Sequence, residues 1–304
     1  MPDTSIHIER IPANRRLEAA RLMAGPTADR DSGARFLAAT TRHGVELDEF
    51  WGLSDTPDGP LRAAALLTPA AGGAVMAFVS PFGADVAVED VGRLLDAAAT
   101  ANRAGSLMQA LLESQEDRAA DAFLGAGFTH VGDLLYMRRP WSAPGGVSSD
   151  WPPSVEVEPW RDGLEDDLAA ALERSYIDTL DCPELCGLRQ TPDVVASHKA
   201  TGKFDPHLWW LVRFRGAPAG ALLLNPCPTQ GHTELVYLGL GPELRGSGMG
   251  RSLVRFGLKA LSKRRHRTVL CAVDSRNAPA KRLYEREGFS SFAQRRAFVR
   301  AVTR

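Results

Sequence analysis

The residues of this chain best suited to chemistry, by type and spacing, form the run Arg245-Gly246-Ser247-Gly248-Met249-Gly250. Glycines at alternate positions free the backbone to turn several N–H groups toward one point. The following stretch places Leu253, Val254, Phe256, Gly257, Leu258 and Leu261 largely on one helical face. The opening of such a helix adds the positive end of its dipole, so a pyrophosphate is a natural ligand for the turn. A glycine turn that simply packs a helix tightly on a strand is the plainer reading of the same residues. Other phosphate loops fit less well. The dinucleotide fingerprint G-x-G-x-x-G has a different spacing, and a Walker loop needs Gly-Lys-Ser/Thr where Gly250 is followed by Arg251.

Several elements must position this turn. The alternation and turn signals predict a short strand at 155–160 and a helix at 162–176. After a polar stretch come strands near 208–214 and 218–225, then a strand at 233–240 that leads into the glycines. Beyond them the pattern predicts helix 249–264, strand 268–273, helix 278–287 and a final hairpin from about 289 to 303. This succession implies an α/β arrangement, a mixed sheet containing one parallel pair.

Arg245-x-x-Gly248-x-Gly250 at the end of an apolar strand resembles the acyl-CoA signature of the GCN5-related N-acetyltransferase (GNAT) superfamily. Downstream, Asn277-Ala278-Pro279-Ala280, Leu283-Tyr284 and Gly288-Phe289 resemble that family's second cofactor motif. The resemblance covers 155–304 and implies a fold and a reaction. The backbone at Leu238, Gly239 and Leu240 would bond the pantetheine arm of acetyl-CoA like an added strand, which requires strand 268–273 to splay away. The amides of Arg245, Gly246, Ser247, Gly248, Met249 and Gly250, with Arg251 at the helix entry, would hold the pyrophosphate. Asn277 would contact the cofactor arm, although Asn at a helix start is also an ordinary N-cap. Tyr284 is the candidate general acid for the departing thiolate, or else a packing residue whose hydroxyl reaches the pocket. Glu234 is the candidate base for the attacking amine, or else a surface carboxylate. Transfer would be direct, in a ternary complex, without a cysteine nucleophile. Cys271 reads as a core residue. In the segment 176–193, Asp178, Asp181 and Glu184 could recognise a cationic amine or could be caps and solvated charges.

A repeat extends the resemblance to the first half. A shift of 161 places Pro81 on Pro242, Ser114 on Ser275, Gly127 on Gly288 and Phe128 on Phe289. The same shift lays 84–89 on the glycine loop, without its glycines and with two carboxylates, and puts Phe123 on Tyr284. Two tandem GNAT-like domains follow, each a mixed sheet with a splayed parallel pair flanked by helices. Residues 1–139 are the degenerate copy without a cofactor loop, 140–154 a Pro-, Gly- and Ser-rich linker, and 155–304 the catalytic copy. The layout is similar to that of mycothiol synthase-like proteins.

Composition narrows the partners. Lys and Arg number 36 against 37 Asp and Glu, a net charge of −1 that gives no reason to expect nucleic acid. The basic run Lys263–Arg267 closes a helix, where cations complement its dipole. No run of about 18 apolar residues is present, and the first residues lack an apolar secretory segment, so a cytoplasmic location away from membranes is expected. Cys182, Cys186, Cys227 and Cys271 follow no disulfide or zinc framework, and no metal is expected. The expected activity is acetyl-CoA-dependent N-acetyl transfer to a small-molecule or peptide amine. A protein N-terminal or lysine acetyltransferase and a non-catalytic acyl-CoA sensor are the alternatives. The oligomeric state is left open.

Overall fold

A computed structural model describes residues 6–142, 151–264 and 267–302. Most of the expected linker, 143–150, and Arg265 and His266 of the basic run lie outside the described residues. The chain divides into two units: Met1–His130 with Arg296–Arg304, and Val131–Arg295.

The first unit carries strands β1 (His7–Arg10), β2 (Phe50–Ser54), β3 (Ala63–Ala70), β4 (Ala74–Val79) and β5 (Leu107–Glu113), hydrogen-bonded in that order. Its helices are α1 (Arg16–Ala24), α2 (Arg30–Arg42), α3 (Val88–Ala101) and α4 (Asp117–Gly125). Strand alternation separates two cores. Ala63, Ala65 and Leu67 of β3 pack toward Leu94, Leu95 and Phe123, whereas Ala64 and Leu66 pack toward Ala19 of α1. A sheet covered on both faces explains why β3 is apolar throughout its buried length.

The second unit holds β6 (Thr129–Pro140) from Val131 on, β7 (Val155–Pro159), α5 (Glu165–Tyr176), α6 (Thr191–Ala200), β8 (Trp209–Phe214), β9 (Ala217–Cys227) and β10 (His232–Leu240). They are followed by α7 (Met249–Ala260), β11 (Thr268–Asp274), α8 (Ala278–Arg286) and the first part of β12 (Ser290–Ala301). The strand order is β12-β6-β11-β10-β9-β8-β7. Here too each face has its own core: Leu222 and Leu224 of β9 meet Leu253, Val254 and Leu258 of α7, while Ala221 and Leu223 meet Leu168 and Leu172 of α5.

The expected final hairpin is a single long strand, β12. SSFAQRRAFVRA contains no Gly, Pro, Asn or Asp with which to turn, so the chain stays extended. The division between units also differs from the expected one. It falls inside β6 and inside β12, because the last strand of the first repeat is bonded to β11, with Leu134↔Asp274 through Pro140↔Thr268.

The repeat persists in structure. Shifting Leu107–Glu113, Asp117–Gly125 and Thr129–Pro140 by 161 reproduces the bounds of β11, α8 and β12. The end of β4 and the start of α3 obey the same shift, but the buried face of the helix does not. Buried Val86, Val91, Leu94, Leu95 and Ala98 match buried Met249, Val254, Gly257, Leu258 and Leu261 at an offset of 163. Eight residues separate strand from helix in both units, so the two-residue offset is a shift of the buried face of α7 relative to that of α3.

Candidate active site

β10 makes the site possible by losing a neighbour. Its parallel pairing with β11 runs only from His232↔Thr268 to Glu234↔Leu270. Just beyond, the antiparallel register with β9 slips between Leu235 and Tyr237, a bulge that bends the strand. Leu238, Gly239 and Leu240 remain bonded to Leu222, Ala221 and Gly220 on one side only. The splay required for an added strand is therefore present, with Glu234 at its branch point. Gly239 has a specific reason to be glycine: a Cβ there would run into the Tyr237 hydroxyl and lie 2.6 Å from Ser175 Oγ. Those two hydroxyls hydrogen-bond to each other.

At the end of β10 the chain makes a short 3-10 turn, Pro242–Leu244, and enters the glycine loop. Gly246 and Gly248 have φ of +72° and +84°, a region costly for any residue with a Cβ, and Gly248 is the residue that precedes the first turn of α7. Among the described residues none accepts a hydrogen bond from the amides of Gly246, Ser247 or Gly248. The first amides of α7, at Met249, Gly250 and Arg251, lack intrahelical partners by geometry, with only a 3.4 Å approach of Met249 N–H to Ser247 Oγ. The Met249 side chain is buried and anchors the turn.

Arg245 works differently from the expectation for a pyrophosphate ligand. Its amide donates to Pro242 O at 3.3 Å. Its guanidinium donates to three carbonyls: Leu240 at 2.9 Å, Ser175 at 2.8 Å and Asp178 at 3.1 Å. It staples the loop to β10 and to the end of α5. Arg174 adds a second tie to Glu243 at 2.9 Å. Arg251 is likewise engaged, donating to Glu287 at 2.6 Å, a buried carboxylate it shares with Arg255 at 3.1 Å.

α8 brings Tyr284 and Asn277. Asn277 Oδ1 accepts from Ala280 N–H at 3.2 Å, so the plain capping role is present, and its side chain also bonds Asp181. The Tyr284 ring is buried against Phe289, with centroids 5.4 Å apart, and its hydroxyl has no hydrogen-bond partner among the described residues. Burial, with Cys271 and Asp181 nearby, pushes its pKa well above the ordinary value. Tyr284 is thus a protonated donor with an unengaged O–H. Burial also pushes the Cys271 thiol up, reinforced by Glu234 and Asp181, which leaves it a poor nucleophile.

The acidic segment 176–193 sorts its three carboxylates. Glu184 is neutralised by Arg276 at 2.7 Å. Asp178 takes a left-handed φ of +51° and lends its carbonyl to Arg245. Of the three, only Asp181 has a charge that acts on the tyrosines Tyr237 and Tyr284. Asp181 is exposed at the surface, yet the protein around its carboxyl desolvates it and raises its pKa, against hydrogen bonds from Asp274 N–H at 2.9 Å and from Asn277. Its charge acts in turn on Tyr237, Cys271 and Tyr284. Asp274, which sequence reasoning missed, fixes the segment by accepting from Cys182 N–H at 3.0 Å and from Arg276 at 2.7 Å. Burial alone would raise the Asp274 carboxyl; Arg276 and these amides hold it low. No spacing signal announces the link, since its partners lie 92 and 93 residues apart.

Glu234 is half-buried, and its carboxyl is raised by burial, opposed by His232, whose Nε2 lies 3.2 Å from it.

The acetyltransferase (GNAT) family model matches residues 172–289, the span from α5 to the end of α8. A mycothiol acetyltransferase from Thermobispora bispora is 30% identical over 205 residues, 66% of this chain and 67% of that one. The chain belongs to the GNAT family. A mycothiol acetyltransferase from Acidothermus cellulolyticus is 33% identical over 193 residues, 58% of this chain and 57% of that one. For this and the next two curated relatives the matched region spans 57%, 54% and 52% of their lengths, a little over half. Two solved structures share the fold over nearly the whole chain. A GCN5-related N-acetyltransferase from Sphaerobacter thermophilus has a TM-score of 0.60 at 18% identity, covering 99% of this chain and 96% of that one. A tandem GNAT protein from the clavulanic acid biosynthesis pathway has a TM-score of 0.53 at 14% identity, covering 99% of each. The mixed α/β GNAT fold expected from the sequence is found. Among the described residues no helix is long and apolar enough to cross a membrane.

Proposed function

We propose that this GNAT protein is an acetyl-CoA-dependent N-acetyltransferase that transfers acetyl directly to the amine of a small molecule. The relatives named mycothiol acetyltransferases make a mycothiol-related acceptor the first choice. One observation carries the reading: the unpaired edge of β10 at Leu238, Gly239 and Leu240 runs without interruption into a loop whose amides at Gly246, Ser247 and Gly248 lack acceptors.

In this reading the β10 edge binds the pantetheine arm, and the amides from Gly246 to Arg251 bind the pyrophosphate. Arg245 holds the loop in shape through its three carbonyls. Bound there, acetyl-CoA supplies an activated acyl carbon and a thiolate leaving group. Glu234 accepts a proton from the incoming ammonium, directly or through water, and its raised carboxyl makes it a better base. The amine nitrogen bonds to the acyl carbon as the carbon–sulfur bond breaks. The Tyr284 hydroxyl gives its proton to the leaving sulfur and is restored, through solvent, by the second proton that the nitrogen loses as it becomes an amide. Asp181 and Glu234 together place negative charge where a cationic acceptor enters. The first half, without the glycines or the tyrosine, binds no cofactor and acts as a structural companion.

The test is Tyr284→Phe. Turnover should fall by about 10²–10⁴-fold, the usual contribution of a positioned acid, while acetyl-CoA affinity by calorimetry stays close to that of the parent. Equal turnover removes Tyr284 from the mechanism. Tight acetyl-CoA binding with no CoA release across a panel of amines, mycothiol precursors included, would replace the enzyme with a cofactor sensor.

A further inference from the structure

We propose that Cys227, His232 and Glu234 form a binding site for a divalent cation of the zinc type at the β9–β10 hairpin. Cys227 and His232 are direct cross-strand partners, and Glu234 follows two residues later on the face that His232 occupies. The hairpin places their sulfur, imidazole nitrogen and carboxylate oxygen all within 4.8 Å of one another. Four residues separate Cys227 from His232 in the chain, a spacing that has no meaning until the turn forms. The turn is fixed by Gln230 and Gly231 N–H groups, both donating to Cys227 O at 3.1 and 2.9 Å.

Around a tetrahedral zinc with bonds of about 2.0–2.3 Å, neighbouring ligand atoms stand about 3.3–3.6 Å apart. His232 and Glu234, at 3.2 Å, already have that separation. The remaining separations, within 4.8 Å, must shorten toward that range for the three side chains to share one ion. The donor set is selective: thiolate with imidazole and carboxylate suits zinc or cobalt, whereas magnesium and calcium take oxygen ligands. Three protein ligands leave a fourth position for water. An ion pair of His232 with Glu234 accounts for two of the side chains but not the third. Among the described residues Cys227 Sγ has only weak partners, the Asn225 carbonyl at 4.0 Å and the Glu234 backbone, and the backbone at Gly202 is packed so close that a Cβ would lie 2.7 Å from the sulfur. Metal binding deprotonates the thiol, and the proton leaves to solvent.

Occupancy also takes the Glu234 carboxylate away from an incoming amine. The cation is thus an inhibitor of the proposed transfer rather than its cofactor. That consequence rests on the role given to Glu234; binding itself does not.

The full chain, stripped with a chelator, is titrated with cobalt(II), and the sulfur-to-cobalt charge-transfer band is followed. One equivalent should bind with the band present, and zinc should displace it. Cys227→Ser, nearly isosteric, should abolish the band with the circular dichroism spectrum unchanged. His232→Gln should weaken binding by more than the about 10–100-fold typical of losing an outer-shell partner. The double variant Cys182→Ser with Cys186→Ser should keep the band. A wild-type chain without the band overturns the site, as does a band that survives Cys227→Ser or vanishes in the double variant. Zinc should lower turnover in step with occupancy; full turnover at full occupancy would refute the inhibitory role alone.

Discussion

Two helix entries occupy equivalent places in the repeat, and only one is open to an anion. Before α7, Gly246 and Gly248 turn through positive φ and leave their amides without acceptors. Before α3 a loop of the same length turns its carbonyls toward cations. Arg118 donates to the carbonyls of Gly83 and Val86 at 3.2 and 2.6 Å, and Arg62 donates to that of Asp85. Glu89 and Asp90 then add negative charge to the first turn of α3. The same replacement of open positions by packed ones recurs nearby. The strand β4 pairs with β3 without a bulge. Phe78 and Leu111 stand at the repeat positions of Gly239 and Ala272, and Phe123 at that of Tyr284. Both helices nonetheless keep the same buried positions, Leu94 and Leu95 matching Gly257 and Leu258. The scaffold is held by the core, so the loop can lose its ligand chemistry without losing the fold.

The sharpest way to break this contrast is Gly248→Asp, which copies the residue at the burial-matched position Asp85. Acetyl-CoA affinity should fall at least about 100-fold, since a like charge about 4 Å from a phosphate costs about 4 kcal/mol near a surface. Gly248→Ala isolates the backbone strain, about 1–2 kcal/mol. Calorimetry on the parent should also find one acetyl-CoA per chain. Two sites, or a tight-binding aspartate variant, would show that the loops do not differ in the way argued.

The ring pair at the centre of each unit gives a smaller, two-sided effect. Phe123 is fully buried, 4.9 Å from Phe128, in the way that Tyr284 sits beside Phe289. Phe123→Tyr buries a hydroxyl among apolar side chains and should cost about 1–3 kcal/mol. Tyr284→Phe should leave the denaturation midpoint unchanged or higher, because no partner loses a hydrogen bond. Equal losses from both variants would mean that the two rings do the same work.

Much of this was legible in the chain. The glycine loop, the α8 motif and the repeat rest on spacing along the chain, which survives folding, and the splay of β10 followed from the resemblance that those motifs carry. What escaped depended on contacts between distant segments. The two-residue offset at α7 is invisible to a shift that aligns Pro81 with Pro242 and Phe128 with Phe289 on either side of it. Arg245 reads as a phosphate ligand, yet its partners Ser175 and Asp178 lie 70 and 67 residues away. Selecting Asp181 over Asp178 and Glu184 required Asp274 and Arg276, which no motif connects to that segment. The final segment differs from the expected hairpin because SSFAQRRAFVRA, although long enough to fold back, contains no Gly, Pro, Asn or Asp at which to turn.

The subtlest difference between the units lies where the parallel strands part. The last paired residues are Met76 and Gln109 in one unit and Glu234 and Leu270 in the other, a thioether against a carboxylate at the same branch point. If Glu234 is the base, turnover requires its ionised form and must decline as pH falls through its pKa. Burial sets that pKa above the ordinary carboxylate range, and His232 partly offsets the rise. His232→Gln removes the offset, so the carboxyl should hold its proton to higher pH. The acidic limb of the kcat/KM profile should move upward with the plateau rate retained. A limb that stays in place would assign it to another group, and a downward move would reverse the sign of the interaction between the two side chains.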